Sequence, residues 1–249
     1  NRERKSFGFT KLLMIYRIIY ELKNKIIHAH NYSLGYILFP YFGLRKILTI
    51  HGFDSELNSF KFFDKVVCVS NPLSDFVTSN FNIKNICINN GVNNKLIKIK
   101  SKFNKSLKLL FIGRFDNNIK GLDILLEAFN LLSKKEDKIT LSVIGEGNKK
   151  DEFTRFVELN NLNDKIFFRG SLPRAKIYKI ISNFDISIIP SRKESFSLFA
   201  VESMMAKVPV IASKIPGLSD VVGSNSSFFE NENANDLCDK ISELIFPPA

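Results

Sequence analysis

Residues 107–147 read LKLLFIGRFDNNIKGLDILLEAFNLLSKKEDKITLSVIGEG, and this stretch decides the fold. Leu107–Gly113 is an uninterrupted apolar run ended by glycine, the pattern of a strand covered on both faces. Gly121–Ser133 then carries leucines at helical spacing, and Ile139–Gly145 repeats the buried-strand pattern. A buried strand, a helix and a second buried strand make a parallel βαβ unit. The same rhythm continues downstream. Helices are expected over Lys149–Asn160, Arg174–Ser182, Leu198–Ala206 and Ala234–Ile245, and strands over Ile166–Arg169, Asp185–Pro190 and Val208–Ser213.

Upstream the rhythm is fainter. Thr10–Lys23 has helical periodicity, and strand-like runs fall at Lys25–His30, Lys46–His51, Lys65–Ser70 and Asn85–Asn90. Asn93–Lys105 is polar and lysine-rich with little periodicity, and reads as a linker. The expected class is α/β, with two Rossmann-like domains: residues 1–102, incomplete with about four strands, and 103–249, a nearly complete doubly wound parallel sheet. In such a sheet ligands sit beyond the carboxyl ends of the strands.

Composition narrows the function classes. The chain has 249 residues, 45% of them hydrophobic, with 24 Phe and no Trp. Cys68, Cys87 and Cys238 are far apart and odd in number, which suits core packing in a reducing compartment better than a disulfide framework or a metal site. No apolar run reaches the 18 residues of a spanning helix, and Tyr36–Leu44 is interrupted by Pro40 and Gly43. A cytoplasmic protein is expected, soluble or peripheral on the inner face of the membrane. The net charge of +11 lies wholly within residues 1–106, which hold 17 Lys and Arg against 6 Asp and Glu. That asymmetry points to an anionic surface. It contains no recognisable nucleic-acid motif, so a membrane carrying a lipid-linked acceptor suits it better.

The chemistry concentrates in Ile189–Ser213, IPSRKESFSLFAVESMMAKVPVIAS. A helix starting near Ser197 or Leu198 puts Glu194 on the preceding loop and turns Glu202 inward from its second turn. Unpaired N–H groups at that helix start favour a phosphate, leaving one carboxylate for sugar hydroxyls and the other for a ribose. Gly113-Arg114 ends one strand and Lys120-Gly121 opens the next helix, two cations that together suit a diphosphate without a metal. Gly145-Glu146-Gly147 closes the following strand with a turn that allows close backbone approach.

These pieces, IGRF…KGLDILLEAF, VIGEG, FFRGSL, the run from Asp185 to Ser213 and PGLSDVV, resemble in order and spacing the C-terminal domain of glycosyltransferase family 4, over some 140 residues. IIHAHNYSLGY, ILTIHGFDSE and INNGVN resemble its N-terminal domain. The resemblance implies the two-Rossmann-domain GT-B fold and a retaining, hexosyltransferase-type transfer to a glycan or lipid-linked acceptor, in a setting such as polysaccharide or lipopolysaccharide assembly. The donor would be a nucleotide diphosphate sugar, UDP-sugar foremost. It requires no metal and no cofactor beyond that donor substrate. By position, Arg114 and Lys120 bind the diphosphate, Glu194 the transferred sugar, Glu202 the ribose and Ser197–Leu198 phosphate. Gly113, Gly145 and Glu146 belong to the donor side, Gly170–Leu172 lies near the base, and His51 meets the reacting sugar. His28 and His30 match a segment nearer the acceptor.

The chain departs from that family at Ser195 and Ser197, where Pro and Gly are frequent, at Lys207, where Gly is frequent, and at Asp220, where Glu is usual. The glycine-rich loop and the final crossing helix have no counterpart, so a truncated chain is expected. Two other readings are a sugar-nucleotide epimerase, disfavoured by the Glu194–Glu202 spacing, and a noncatalytic nucleotide-binding fragment.

Overall fold

The computed structural model describes residues 20, 25–31, 44–53, 58–93, 97–101, 106–116, 119–223 and 227–245. Apart from Tyr20, the expected Thr10–Lys23 helix lies outside them, as does nearly all of the Tyr36–Leu44 run. The chain divides into two compact units, Asn1–Asn89 and Asn90–Ala249.

In the first unit, β1 (Ile26–Ala29), β2 (Arg45–Ile50), β3 (Lys65–Cys68) and β4 (Ile86–Cys87) form a parallel sheet in the order β1-β2-β3-β4. Helix α1 (Asn71–Phe81) follows β3. The Ser70 hydroxyl caps it by accepting from Leu73 N, proline stands in its first turn, and Asn82 ends it in the left-handed region at φ 52°. Each is a residue type suited to its place. Cys68 is buried, and burial pushes its thiol up to about 12. Cys87, its register partner, is only half-buried and does not belong to the core as expected.

The second unit alternates strand and helix: β5 (Leu107–Ile112), α2 (Leu122–Ser133), β6 (Ile139–Ile144), α3 (Lys150–Leu159), β7 (Ile166–Phe168), α4 (Arg174–Ile180), β8 (Ile186–Ile189), α5 (Leu198–Met205), β9 (Val210–Ser213), α6 (Pro216–Val222), β10 (Ser227–Phe229) and α7 (Ala234–Ile245). The sheet runs β10-β9-β8-β5-β6-β7 and every pairing in it is parallel. Helix α6 and edge strand β10 were not anticipated. Asn85–Asn90 shrinks to a two-residue strand, and Val208–Ser213 begins pairing only at Val210.

Alternation along β5 shows how the sheet is covered. Leu109 and Phe111 join a core with Leu125, Phe129 and Leu132 of α2, Phe153 of α3 and Leu237 and Ile241 of α7. Leu110 and Ile112 point to the other face, among Ile144, Ile177, Ile181 and Val208. With Leu109 and Leu110 both at 0% exposure, β5 is sealed on both sides. Each such fully buried side chain contributes about 1.5–3 kcal/mol, which fixes the strand whose end carries the site.

The linker reading of Asn93–Lys105 needs correction. Ile97 packs on the α4–α5 side of the sheet, and the N–H groups of Lys98 and Lys100 donate to Tyr178 O and Ala206 O. The Lys100 ammonium, only 4% exposed, pairs with Asp185 at 2.9 Å and donates to Phe184 O at 2.8 Å. Lysine-rich composition suggested solvent; here one lysine is part of the interior.

Candidate functional site

Strand order reverses between β5 and β8. The chain leaves β5 for β6 and β7 on one side, then returns to β8 on the other. The two crossovers diverge there and leave a crevice beyond the strand ends. A cavity of about 240 Å³ occupies it, bounded by Ile112, Ile189, Lys120, Glu194, Ser197 and Leu198. Four of the residues expected to bind donor or act in the reaction, Lys120, Glu194, Ser197 and Leu198, thus line one cavity.

Lys120 and Glu194 meet there, Nζ to Oε2 at 2.6 Å, with side chains 25% and 13% exposed. Their approach is built from backbone. Gly121 sits at φ 65°, and a Cβ on it would lie 1.8 Å from Pro190 O, so only glycine lets α2 begin against the end of β8. Asp116 Oδ1 accepts from the N–H groups of Ile119 and Lys120. Arg192 N donates to Ile119 O, tying the two loops together, and the Arg192 guanidinium grips Asp123 on α2. From the other side Gly217 of α6 packs under Glu194, where a Cβ would fall 1.8 Å from its carbonyl oxygen.

Helix α5 starts at the cavity wall. Ser197 is its N-cap, extended at φ −91° and ψ 104°, and its hydroxyl accepts from Ala200 N at 3.3 Å. The first N–H groups of α5 have no acceptor within the helix, and they give its start a partial positive charge. The helix is held down by Ser203, which donates to Ser187 at 2.9 Å in a fully buried contact. Ser213 donates to Ser191 O at 2.5 Å and fixes the loop before Glu194.

The other expected residues surround this cavity without lining it. Arg114 projects outward, its side chain 70% exposed and 3.6 Å from Asp116, because the next residue, Phe115, is buried between Phe153 and Phe168. Gly113 and Gly145 pack strand end on strand end: a Cβ on Gly145, at φ 144°, would lie 1.8 Å from Gly113 O. Gly145 N donates to Gly170 O, and Glu146 Oε1 accepts from Ser171 N at 3.4 Å, so the loop after β7 is held by the loop after β6. Leu172 lines a separate depression of about 520 Å³ with Phe167, Ile180 and Phe184. Glu202 is buried at 4% exposure and bonded to Arg174 of α4. Burial drives its carboxyl pKa up, against the lowering effect of Arg174 and Tyr178.

In the first unit His51 follows β2 and His30 follows β1, both at carboxyl ends of parallel strands. His30 Nδ1 and His51 Nε2 are 2.9 Å apart, one donating and the other accepting according to tautomer, and His28 Nε2 bonds Thr49 Oγ1 at 2.7 Å. The His51 pKa is lowered, first by burial and then by the charges of His30 and His28. Among the described residues no group of three or more His, Cys, Asp or Glu is placed to hold a metal ion.

Sequence reading missed Asp123, Arg174, Tyr178 and Arg192 and did not single out Gly217. Arg192 and Gly217 lay inside quoted motifs, but nothing in a linear pattern links Arg192 to a residue 69 positions away.

Comparison with known proteins gives one consistent result. The model of the family described as "Glycosyl transferases group 1" matches residues 92–246. An uncharacterized glycosyltransferase of Methanocaldococcus jannaschii is 32% identical over 97% of this chain and 72% of its own length. The O-antigen biosynthesis glycosyltransferase WclY of Escherichia coli is 29% identical over 93% of this chain and 65% of its own. Among solved structures, a mutant of S. aureus TarM in complex with fondaparinux, alpha-GlcNAc-glycerol and UDP superposes with a TM-score of 0.78 at 25% identity, covering 91% of this chain and 51% of that one. The chain therefore spans between half and about seven tenths of these proteins. The α/β architecture of two parallel sheets is that of GT-B neighbours.

Proposed function

The chain belongs to the group 1 glycosyl transferases, and from that premise we propose that it moves a sugar from a nucleotide diphosphate sugar, with UDP the first candidate, to a glycan or lipid-linked acceptor with retention of anomeric configuration. The observation that carries this reading is the Lys120–Glu194 pair in the crevice between β5 and β8, beside the start of α5.

Cleaving the donor's glycosidic bond leaves an oxocarbenium-like sugar and a diphosphate with growing negative charge. Groups fixed in advance where that charge appears lower the barrier without reorganising. Lys120 supplies a full positive charge there, and the α5 N–H groups at Leu198 and beyond supply partial ones. An ammonium has three N–H donors, so Lys120 keeps its bond to Glu194 and still donates to a phosphate oxygen. Glu194, acceptor-only when ionised, takes hydroxyls of the transferred sugar.

Glu202 is assigned to the ribose, the loop Gly170–Leu172 to the base and Glu146 to the donor side. Arg114 is assigned to the diphosphate on the resemblance, its exposed side chain standing 3.6 Å from Asp116. Gly113 and Gly145 keep their donor-side assignment from the resemblance; their missing Cβ atoms are what lets the two strand ends pack together. For His51 the support is the resemblance together with its place at the end of β2. Peripheral attachment to an anionic cytoplasmic membrane face through the basic residues 1–106 belongs to the same proposal. No helix among the described residues is long and apolar enough to cross a membrane.

The test is steady-state transfer from UDP-sugars, with product anomers read by NMR. Lys120→Ala and Glu194→Ala are each expected to cut kcat at least about a hundredfold. Near-normal turnover of either variant, or an inverted product, would overturn the reading.

A further inference from the structure

Glu202 is held from outside its own helix. Arg174 of α4 donates from Nη2 to Glu202 Oε1, and the Tyr178 hydroxyl bonds the same carboxylate. Arg174 and Tyr178 stand four residues apart, on one face of α4, and are bonded to each other, Nε donating to Tyr178 Oη at 2.8 Å. The guanidinium carbon lies 5.8 Å from the tyrosine ring centroid. The three side chains close a ring of hydrogen bonds. Tyr178 and Glu202 are buried, at 7% and 4%, while the Arg174 side chain is half exposed.

Left alone, a carboxylate this deep takes up a proton or turns toward whatever donor is nearest. Arg174 opposes protonation by charge and hydrogen bond, and it fixes the carboxylate plane through Oε1. An ionised carboxylate has about four acceptor sites. The ring uses two of them, and two remain, the number that a vicinal diol fills.

We propose that Arg174 and Tyr178 are positioning residues for the donor: they hold Glu202 as an oriented carboxylate whose remaining lone pairs receive the two ribose hydroxyls of the nucleotide. The inference rests on the assignment of Glu202 to the ribose made above. It adds a specificity element, preference for ribo- over deoxyribonucleotide, that depends on a second helix. It also makes donor binding sensitive to pH once Arg174 is gone. Among the described residues, Arg174 and Tyr178 are the charged and titratable groups that act on Glu202.

The experiment measures binding of UDP, GDP and ADP, and of their 2′,3′-dideoxy forms, to the full chain by calorimetry from pH 6 to 8.5. Donor KM and kcat are measured alongside. For the base that wild type binds, Glu202→Gln is expected to abolish the preference for the ribose form at every pH. Arg174→Ala is expected to weaken the ribose form about tenfold at pH 8 and further at pH 6. Its kcat at saturating donor should stay within about threefold of wild type. Arg174→Lys should recover part of the affinity, and Tyr178→Phe should lose a few-fold with a smaller pH dependence than Arg174→Ala, because the positive charge stays. If Glu202→Gln keeps the ribose preference, the ribose assignment itself fails. If Glu202→Gln loses it while the Arg174 and Tyr178 variants bind as wild type does, the assignment stands and the positioning role is refuted. Arg174→Lys and Tyr178→Phe carry the same test if Arg174→Ala does not fold.

Discussion

The guanidinium of Arg192 closes on both carboxylate oxygens of Asp123, Nη1 to Oδ1 at 2.9 Å and Nη2 to Oδ2 at 2.6 Å. Neither residue lines the cavity, yet one stands two positions before Glu194 and the other three after Lys120. The pair therefore sets the distance between the two groups to which the chemistry is assigned. Bidentate pairing of this kind fixes direction as well as separation. Arg192→Ala is expected to lower kcat about tenfold, since small misplacements at a reacting centre are costly. Stability and kcat should be measured for Arg192→Ala, Asp123→Ala and the double variant. A coupling of about 1–2 kcal/mol in stability is expected for a partly exposed charge-assisted pair. Additive single effects would show that the clasp does not register the loops.

Lys100 is expected to be one of the more sensitive lysines in the chain. Its ammonium and the Asp185 carboxylate are 4% and 3% exposed, and Asp185 Oδ2 also accepts from Lys108 N at the start of β5. Lys100→Met removes one member of a buried pair and strands the other. The expected loss is about 3 kcal/mol in urea unfolding. A loss below about 0.5 kcal/mol would mean that the segment before β5 is a tether, as its composition first suggested.

How much of this was legible in the sequence depends on the distance over which each signal acts. The strand Leu107–Ile112 announces itself, because a short apolar run ended by Gly113 suits a strand covered on both faces, and Leu109, Leu110 and Phe111 are indeed buried. Lys120, Glu194, Ser197 and Leu198 could be grouped because each sits where a strand ends or a helix starts, and topology carries such places to one edge of the sheet. Arg174 with Glu202 and Asp123 with Arg192 could not, since those pairs exist only after α4 meets α5 and the β8 loop meets α2. Helix α6 and strand β10 are seven and three residues long, too short for a periodicity to stand out. Lys100 misled for a different reason. Lysine is almost never buried unless paired, and its partner lies 85 positions further on.

The histidine cluster makes stability depend on acid. Folding lowers the His51 pKa from its ordinary 6.5, mainly by burial and then through His30 and His28. Well above pH 6.5 the imidazole is neutral in both folded and unfolded chains, and its titration leaves folding unaffected. As pH falls below that, the unfolded chain takes up the proton first. Stability is lost progressively until the pH is below the folded value. His51→Gln is expected to unfold in urea with a smaller drop between pH 7.5 and 5.5 than wild type. In the His30→Ala variant, NMR titration should show the His51 pKa moving up toward its ordinary value. An unchanged titration would place the cause entirely in burial.

Lys207 offers a way to stabilise the chain without touching the cavity. It follows α5 at φ 57°, in the left-handed region, with its N–H donating to Met204 O and the next N–H to Ser203 O. That is the geometry of a helix end for which glycine is the favoured residue, and a side chain there costs roughly 1 kcal/mol. Lys207→Gly is therefore expected to raise stability by about 1 kcal/mol, less a few tenths for the positive charge lost at the helix C-terminus. In a chain of this size that is a gain of about 2–4 °C in Tm. Lys207→Ala removes the same charge but keeps the Cβ, so it should gain nothing. Equal gains from Gly and Ala would assign the effect to the charge instead of the backbone.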